Sequence, residues 1–362
     1  MKRLSCLILL VLAIIPYSVR AFDTSATSAI LMDMDSGRIL YSKNIHNIRT
    51  VASISKIMTC IVAIESGKLD DVVTIGDEIL DAYGSGIYIK QGEQLKLIDL
   101  LYGLMLRSGN DAALAIANYV GGDVDGFVKL MNDKAKEIGM KNSTFNNPSG
   151  LDQDKGNYST AYDMAILTSY AMKNDIYKKI VGTKKYTLTT NMNSYAWYNK
   201  NKLLNSYKYT TGGKTGFTEK ARRTLVTTAS FDNLNLVVVT LNDGNDFSDH
   251  KDLYEEAFKN YFAYKILNEG TINIYDENYY TDYELYVKEG FSYPLMKSEK
   301  NNLYLKIELN RNDKVQDGDM VGNVNVIQND KVLFTTGVYV KEKIHEKLKW
   351  YQKLTKWWNN LW

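Results

Sequence analysis

Three short motifs combine residue types that can carry out nucleophilic chemistry. Ser53 and Lys56 form an S-x-x-K motif, Ser108 and Asn110 form S-x-N, and a K-T-G motif begins at Lys214. A serine hydroxyl is a weak nucleophile near neutral pH and needs a base beside it. A lysine amine can be that base when burial or a neighbouring cation lowers its pKa. The trio therefore predicts a serine nucleophile activated by a lysine.

The roles of the other motif residues follow from their hydrogen-bonding groups. A hydroxyl both donates and accepts, so Ser108 can relay a proton between the amines of Lys56 and Lys214. The amide of Asn110 can orient Lys56 and also bind an amide of the substrate. Lys214 can supply the cation that lowers the pKa of Lys56. We therefore expect Ser53, Lys56, Ser108 and Asn110 to be the catalytic residues.

The K-T-G segment indicates where a substrate would bind. In a strand, its backbone can pair with an extended substrate, and Gly216 lets that backbone approach closely. The backbone N–H groups of Ser53 and Phe217 would form an oxyanion hole. Lys214, Thr215, Gly216 and Phe217 are therefore the expected substrate-binding residues.

Each motif also has a simpler reading, because such short patterns recur by chance. S-x-x-K occurs again at Ser248 to Lys251 and S-x-N at Ser42 to Asn44, whereas K-T-G occurs once. Taken alone, a motif serine or asparagine could be only a helix cap, and the lysine only a charge on a strand. All three motifs in this order, on a helix, a loop and a strand, favour the catalytic interpretation.

The motifs lie on elements that could bring them together. Apolar spacing predicts a helix over 53–66, which places Ser53 and Lys56 on one face beside free N–H groups at the helix N-terminus. The S-x-N motif falls between helical stretches. Strands at both ends of this region predict one α/β sheet domain over residues 22–267. The expected strands are 28–34, 38–42, 222–230 and 235–242, and the expected further helices are 97–106, 111–120, 124–138, 160–173 and 250–266.

From about residue 269 the pattern changes to short strands separated by polar turns. This predicts a separate small all-β domain over residues 268–340. The expected strands are Ile272–Ile274, Glu284–Val287, Leu303–Glu308 and Val324–Ile327.

The N-terminus carries the pattern of a signal peptide over residues 1–21. Basic residues precede an apolar run from Leu4 to Ile15, and small residues precede a cut after Ala21. An uncleaved N-terminal anchor is the alternative. Either reading places the rest of the chain outside the cytoplasm.

Residues 341–362 combine apolar residues at helical spacing with many lysines and four of the five Trp. This pattern predicts a basic amphipathic helix that lies on a membrane surface. A helix packed on its own domain or on a partner is the alternative. We expect a chain secreted across the plasma membrane and peripherally attached to its outer face.

Composition argues against several other classes of protein. The net charge of +2 gives no global field for nucleic acid. Cys6 lies in the signal segment, so Cys60 is the single cysteine of the mature chain, which can then form no internal disulfide. The three His stand in no recognisable cysteine-protease context, and Cys60 is expected to be a small core residue.

The motifs and their surroundings resemble the low-molecular-mass penicillin-binding proteins that are D-alanyl-D-alanine carboxypeptidases, the S11 serine peptidases. The resemblance covers most of residues 25–265 and has a weaker continuation around Gly318 to Gly322. The matching segments are 28–33, 51–59, 106–113, 147–152, 159–165 and 213–218.

This resemblance implies a serine β-lactamase/transpeptidase-like fold followed by the small β domain. It implies that Ser53 attacks the carbonyl between the two D-alanines of a peptidoglycan stem peptide, forming an acyl-enzyme that water hydrolyses. β-Lactam antibiotics, which mimic that peptide end, should acylate Ser53. The terminal helix resembles the membrane anchor of the family. No metal or cofactor is implied.

The sequence departs from the family pattern where relatives bind the substrate carboxylate. After Phe217 and Thr218 the chain has a bulkier, more cationic segment ending in Arg222 and Arg223. Many relatives place an arginine before the next helix, whereas this chain has His250 and a lysine there. We therefore hypothesise that Thr215 binds the carboxylate together with a cation, either Arg222 or His250.

Two other functions are compatible with such a fold. A serine β-lactamase would need a base for fast deacylation, usually a Glu, but the 146–158 loop offers only Asp152 and Asp154. A non-catalytic wall-binding protein would not need the intact motifs. Both alternatives are weaker than the carboxypeptidase interpretation.

Overall fold

A computed structural model describes residues 23–152, 155–275, 277 and 279–343 of the chain. They form two compact units. The first contains the described residues up to Met34, together with Ile39–Ser230 and Asn235–Ala257. The second contains Asp35–Arg38, Phe231–Leu234 and the described residues from Phe258 onward. The predicted signal segment and nearly all of the predicted terminal helix lie outside the described residues.

The first unit is built on a five-stranded sheet. Its strand order is β2-β1-β11-β10-β9, which places β9 at one edge. Strand β11 reads LNLVVVTL and is almost wholly buried, as expected for a strand covered on both faces. The strands of this unit are β1 Ser28–Asp33, β2 Ile39–Lys43, β3 Arg49–Thr50, β4 Val72–Thr74, β5 Gln94–Lys96, β6 Tyr158–Ser159, β7 Lys185–Thr189, β8 Ser194–Tyr198, β9 Thr210–Thr218, β10 Arg222–Phe231 and β11 Leu234–Leu241.

The helices expected from the sequence pattern are present in this region, together with two that it did not predict, Asp175–Gly182 and Leu203–Ser206. The helix that follows Ser53 has buried side chains from Lys56 to Ile64, because its composition is apolar nearly all round. The helices are α1 Lys56–Glu65, α2 Leu97–Tyr102, α3 Asn110–Gly121, α4 Val124–Glu137, α5 Ala161–Ala171, α6 Asp175–Gly182, α7 Leu203–Ser206 and α8 Asp246–Asn260.

Neighbouring residues of β10 show that helices cover both faces of the sheet. Val226 belongs to the buried cluster that contains Ile57 and Ile61 of α1. Thr227 instead hydrogen-bonds His250 and Tyr254 of α8. Since successive strand residues point to opposite faces, α1 and α8 lie on opposite sides of the sheet. The expected α/β architecture is confirmed.

The second unit has its own sheet and its own small core. The five-stranded sheet has the order β13-β14-β18-β17-β16, and β12 pairs with β15. Its core contains Val287, Val324, Val338 and Val340 among other apolar residues. The strands are β12 Phe262–Leu267, β13 Gly270–Thr271, β14 Tyr283–Val287, β15 Phe291–Leu295, β16 Leu303–Leu309, β17 Met320–Gln328 and β18 Lys331–Glu342.

Three local expectations were wrong. The helix expected over 250–266 ends at Asn260, because the residues after it pair as β12 with β15. The strand expected at Ile272–Ile274 is a shorter one at Gly270–Thr271, paired with β14. Lys341 and Glu342 belong to β18 and pair with β14, so no helix begins at residue 341.

Candidate active site

Ser53 lies in a 3₁₀ turn, Ala52–Ser55, that leads directly into α1. Ala52 adopts a positive φ of 50°, which turns the chain sharply before the serine. Gly150 packs against this turn with a φ of 81°, and a Cβ at Gly150 would overlap the carbonyl oxygen of Ala52. The turn places the hydroxyl of Ser53 at the start of the helical segment, where backbone N–H groups are free of intrahelical partners.

The amine of Lys56 has three oxygen neighbours. Its Nζ lies 3.1 Å from Oγ of Ser53 and 2.7 Å from Oδ1 of Asn110, and it also donates to the carbonyl of Ser149. The amide oxygen and the carbonyl can only accept, so each takes one N–H. A neutral amine then has its lone pair left for Ser53. This arrangement can remove the proton of the Ser53 hydroxyl.

Burial favours the neutral form of this amine. Lys56 is fully buried, and desolvation, followed by the charge of Lys200, lowers its pKa from 10.5 to about 7. The pKa of Lys214 is lowered well below its usual value, first by burial and then by the charges of Lys56 and Lys200. The Lys56 amine can therefore accept and release a proton near neutral pH, and burial also favours the neutral form of Lys214.

The S-x-N motif is held by an unusual backbone conformation. Ser108 adopts φ 65° and ψ 34°, the left-handed region, between a π-helical turn and α3. Its Oγ lies 3.0 Å from Nζ of Lys214. Asn110 donates from Nδ2 to the carbonyl of Tyr83 at 2.6 Å while its Oδ1 accepts from Lys56. The motif thus contacts both buried lysines.

The K-T-G motif lies on β9, at the edge of the sheet. Lys214 is buried and also donates to the carbonyl of Thr215 at 2.7 Å. A Cβ at Gly216 would lie 3.0 Å from the backbone nitrogen of Ser53 and 2.5 Å from Oγ1 of Thr224. A side chain there would press against the amide expected to form the oxyanion hole. Phe217, next along the strand, is 61% exposed.

The loop after Asn146 was not assigned a catalytic role from the sequence, yet it contacts Ser53. The carbonyl of Ser149 lies 3.4 Å from Oγ of Ser53. Asn147 shapes the loop, because its Oδ1 accepts from the backbone N–H groups of Ser149 and Gly150. Asp152 accepts a 2.6 Å hydrogen bond from Thr218, the last residue of β9.

A cleft of about 740 Å³ opens beside Ser53, Ser108 and Thr215. Sequence reasoning proposed none of the four cations that line it as ligand-binding residues. We call these four residues the cationic wall; they are Arg107, Lys200, Lys202 and Arg223. The wall creates a place for an anionic group of a ligand next to Ser53.

The two cations hypothesised to bind a carboxylate lie elsewhere. His250 is fully buried between Oγ1 of Thr227, 2.7 Å away, and Oγ1 of Thr240, 3.0 Å away, and burial lowers its pKa to about 3. It is therefore a neutral interior residue, and that part of the hypothesis was wrong. Arg223, rather than Arg222, lines the cleft, where Asp246 binds its guanidinium through Nε at 3.1 Å and through Nη2.

No group of three or more His, Cys, Asp or Glu that could hold a metal ion occurs among the described residues. Within those residues, none of the helices combines the length and the apolar character needed to cross a membrane. Cys60 is free and buried, and burial raises the pKa of its thiol.

Comparisons with protein families match both parts of the chain. Residues 16–245 match the family described as D-alanyl-D-alanine carboxypeptidase, Peptidase_S11. Residues 263–346 match the C-terminal domain of penicillin-binding protein 5.

Individual relatives give the same result. The D-alanyl-D-alanine carboxypeptidase DacF of Bacillus subtilis is 35% identical over 256 residues, which are 66% of this chain and 66% of that protein. DacC of Escherichia coli, another D-alanyl-D-alanine carboxypeptidase, is 30% identical over 353 residues, 91% of this chain and 86% of that protein. The crystal structure of penicillin-binding protein 5 from Haemophilus influenzae aligns with a TM-score of 0.75 at 28% identity, covering 90% of this chain and 99% of that one.

Proposed function

The chain belongs to the D-alanyl-D-alanine carboxypeptidases of family S11, the low-molecular-mass penicillin-binding proteins, and on this premise we propose that Ser53 is its nucleophile. Membership makes the chain a penicillin-binding hydrolase that acts on the cell wall. The observation that carries the assignment is the Lys56 amine, whose Nζ lies 3.1 Å from Oγ of Ser53 with its N–H groups directed at other oxygens.

The proposed reaction cleaves the bond between the two terminal D-alanines of a stem pentapeptide. Neutral Lys56 takes the hydroxyl proton of Ser53 as Oγ attacks the carbonyl carbon. The negative oxygen that forms is stabilised by the backbone N–H groups of Ser53 and Phe217. The proton reaches the leaving amine through Ser108 and Lys214, the C–N bond breaks, and D-alanine departs.

Water then hydrolyses the ester on Ser53. Lys56 accepts a proton from this water, and the serine hydroxyl is restored as the shortened peptide acid leaves. A β-lactam would acylate Ser53 in the same way, because its ring amide occupies the position of the scissile bond.

Substrate binding uses the free edge of β9 and the cationic wall. An extended peptide can add to an edge strand through backbone hydrogen bonds, as the K-T-G position on β9 permits. The carboxylate of the terminal D-alanine is bound by Thr215 and by the guanidinium of Arg223, which Asp246 holds in place.

The cellular location follows from the two terminal segments. Residues 1–21 act as a signal peptide, and the basic, Trp-rich segment within residues 341–362 attaches the exported chain to the outer face of the membrane. This location would place the active site beside peptidoglycan.

The test is covalent labelling with a fluorescent penicillin. The full chain, purified in mild detergent, is compared with Ser53→Ala, and the adduct is located by mass spectrometry. A lasting adduct on Ser53 that the variant lacks, together with release of D-alanine from a D-alanyl-D-alanine peptide, is the expected result. A folded chain that forms no adduct would support a non-catalytic wall-binding protein, and rapid penicillin turnover would support a β-lactamase.

A further inference from the structure

The five-stranded sheet of the second unit has one short edge and one long edge. β13, Gly270–Thr271, forms the first with two residues, and β16, Leu303–Leu309, forms the second with seven. β16 pairs with β17 along its full length, and in the described part of the chain no strand pairs with its other side. A long free edge offers a row of unpaired N–H and C=O groups to another strand.

Hydrogen bonds to β17 identify the backbone groups of β16 that face the free edge. Just after β16, the N–H of Asn310 donates to the carbonyl of Val321. Just before β16, the carbonyl of Asn302 accepts from the N–H of Asn329. Bonded and non-bonded residues alternate along an antiparallel pair. The even-numbered residues of β16 therefore bond to β17, and the odd-numbered residues direct their N–H and C=O groups outward.

The two faces of β16 carry different side chains. One face is wholly apolar and consists of Leu303, Leu305, Ile307 and Leu309. Leu305 remains 40% exposed, although Ile307 and Leu309 pack against the small core of the unit. The other face carries the exposed residues Lys306 and Glu308, whose Nζ and Oε1 atoms lie 2.7 Å apart. The free edge thus combines an incompletely covered apolar row with two opposite charges.

This charge pattern is complementary to itself in one register. Two copies of β16 related by a two-fold axis pair antiparallel, with outward-facing residues opposite each other. A pair centred on Lys306 or on Glu308 would place like charges directly opposite, which is unfavourable. A pair centred on Ile307 places Lys306 opposite the partner's Glu308, twice by symmetry. In this register both charges of each strand meet an opposite charge.

The same register suits the backbone and the apolar face. The outward-facing groups of Leu305, Ile307 and Leu309 become the hydrogen-bonded positions of the new pair. Lys306 and Glu308 then occupy the non-hydrogen-bonded positions, where opposing Cα atoms are about 4.5 Å apart and side chains are closest. The apolar rows of the two strands lie side by side, so each covers the exposed part of the other.

We propose that the chain forms a symmetric dimer in which two copies of β16 pair antiparallel, centred on Ile307. The two five-stranded sheets become one continuous sheet. The occupant of the edge is a second copy of this chain, because the alternating charges of Lys306 and Glu308 fit their own reversed sequence. The interface contains no residue of the active site, so the dimer does not depend on the proposed function.

The test measures self-association of the full chain by sedimentation equilibrium in density-matched detergent over a range of protein concentrations. We expect a reversible monomer–dimer equilibrium. Lys306→Glu alone and Glu308→Lys alone should each weaken the dimer at least about tenfold, because each turns two attractive cross-strand pairs into repulsive ones. An equimolar mixture of these two variants should associate within about threefold of the parent, since opposite charges meet again in the mixed dimer.

A proline variant tests the backbone part of the interface. Leu305→Pro removes an outward-facing N–H and leaves the hydrogen bonds between β16 and β17 in place. It should weaken the dimer at least about tenfold, because two cross-strand hydrogen bonds are lost by symmetry. Lys129→Glu is the matched control, since it reverses one charge of the exposed Lys129–Asp133 pair on α4 and should not change association. Circular dichroism checks that each variant is folded.

The mixture separates a specific interface from a folding defect, because two misfolded variants cannot restore each other by opposite charge. A parent chain that stays monomeric at every concentration would overturn the proposal. Dimerisation that neither charge reversal weakens would also overturn it, since the interface would then lie elsewhere. If each reversal weakens the dimer but the mixture does not recover, the pairing centred on Ile307 is wrong.

Discussion

The buried lysine pair and the cationic wall are two groups of cations around Ser53, the proposed nucleophile. Lys56 and Lys214 are almost completely buried, and burial lowers the pKa of each. The side chain of Arg223 in the wall is 47% exposed and paired with Asp246, which raises its pKa. The contrast teaches that burial favours a neutral amine, which can accept a proton, whereas exposure and a carboxylate partner keep a guanidinium charged and able to bind an anion.

Replacing the proton carrier should have the largest effect. An arginine in Lys56→Arg keeps a positive charge but cannot be deprotonated in a protein. We expect acylation of Ser53 by penicillin to slow by about 10²- to 10⁴-fold, the usual contribution of a general base. The rate is measured by stopped-flow labelling, with circular dichroism to show that the variant is folded. A rate within threefold of the parent would mean that another group removes the proton.

An added methyl group should destabilise the closely packed turn before Ser53 more than the surface near the cationic wall. Gly150→Ala places a Cβ against the carbonyl of Ala52 at a positive φ, whereas a Cβ at Gly244, near Asp246, would meet no atom within 4 Å. We expect Gly150→Ala to lower the free energy of unfolding by about 2 kcal/mol or more. Urea titration checks this, with Gly244→Ala as the matched control. Equal midpoints for the two variants would show that the turn at Ala52 is not tightly constrained.

Removing the exposed cation should affect binding more than chemistry. Arg223→Gln should raise KM for an acetylated D-alanyl-D-alanine peptide about tenfold with a smaller change in kcat, because it removes a charge-assisted hydrogen bond to the carboxylate. Arg222→Gln is the neighbouring control. With a peptide whose C-terminus is an amide, the difference between Arg223→Gln and the parent should disappear; a difference that persists would assign Arg223 to a structural role.

The smallest expected effect is the pH dependence of the acylation rate, which should differ from that of KM because the two groups of cations titrate differently. Lys56, as the proposed base, must be neutral to act, so with a pKa of about 7 the acylation rate should rise with pH through that value and level off above it. From pH 6.5 to 8 the rise should be about fourfold. KM for the carboxylate peptide should stay constant over this range, because Arg223 remains protonated. An acylation rate that does not change between these pH values would contradict the assignment of Lys56.

The sequence predicted much of the framework, because its signals were local or periodic. Apolar spacing after Ser53 correctly predicted a buried helix, and the nearly continuous apolar run in β11 correctly predicted a buried strand. The end of the helix at Asn260 was missed, since the following residues form a strand only by pairing with β15. Pairing with a distant segment leaves no periodic signal of its own.

The residues around Ser53 also divide into those that local sequence signals identified and those that only the fold places there. Motif spacing singled out the S-x-x-K, S-x-N and K-T-G residues as candidates. It did not identify the carbonyl of Ser149, which accepts from Lys56, because every residue has a carbonyl and its position depends on the fold. It also chose His250 as a candidate cation, although the fold buries that ring between two threonines.

The sequence by itself determined the types and local spacing of the reactive groups, because three residues along a helical turn place Ser53 and Lys56 on one face. The tertiary structure decided which cations are buried and which remain charged. Whether Lys56 can act as a base and Arg223 can bind an anion depends on how far neighbouring residues exclude water from each side chain. Those neighbours come from segments far apart in the sequence.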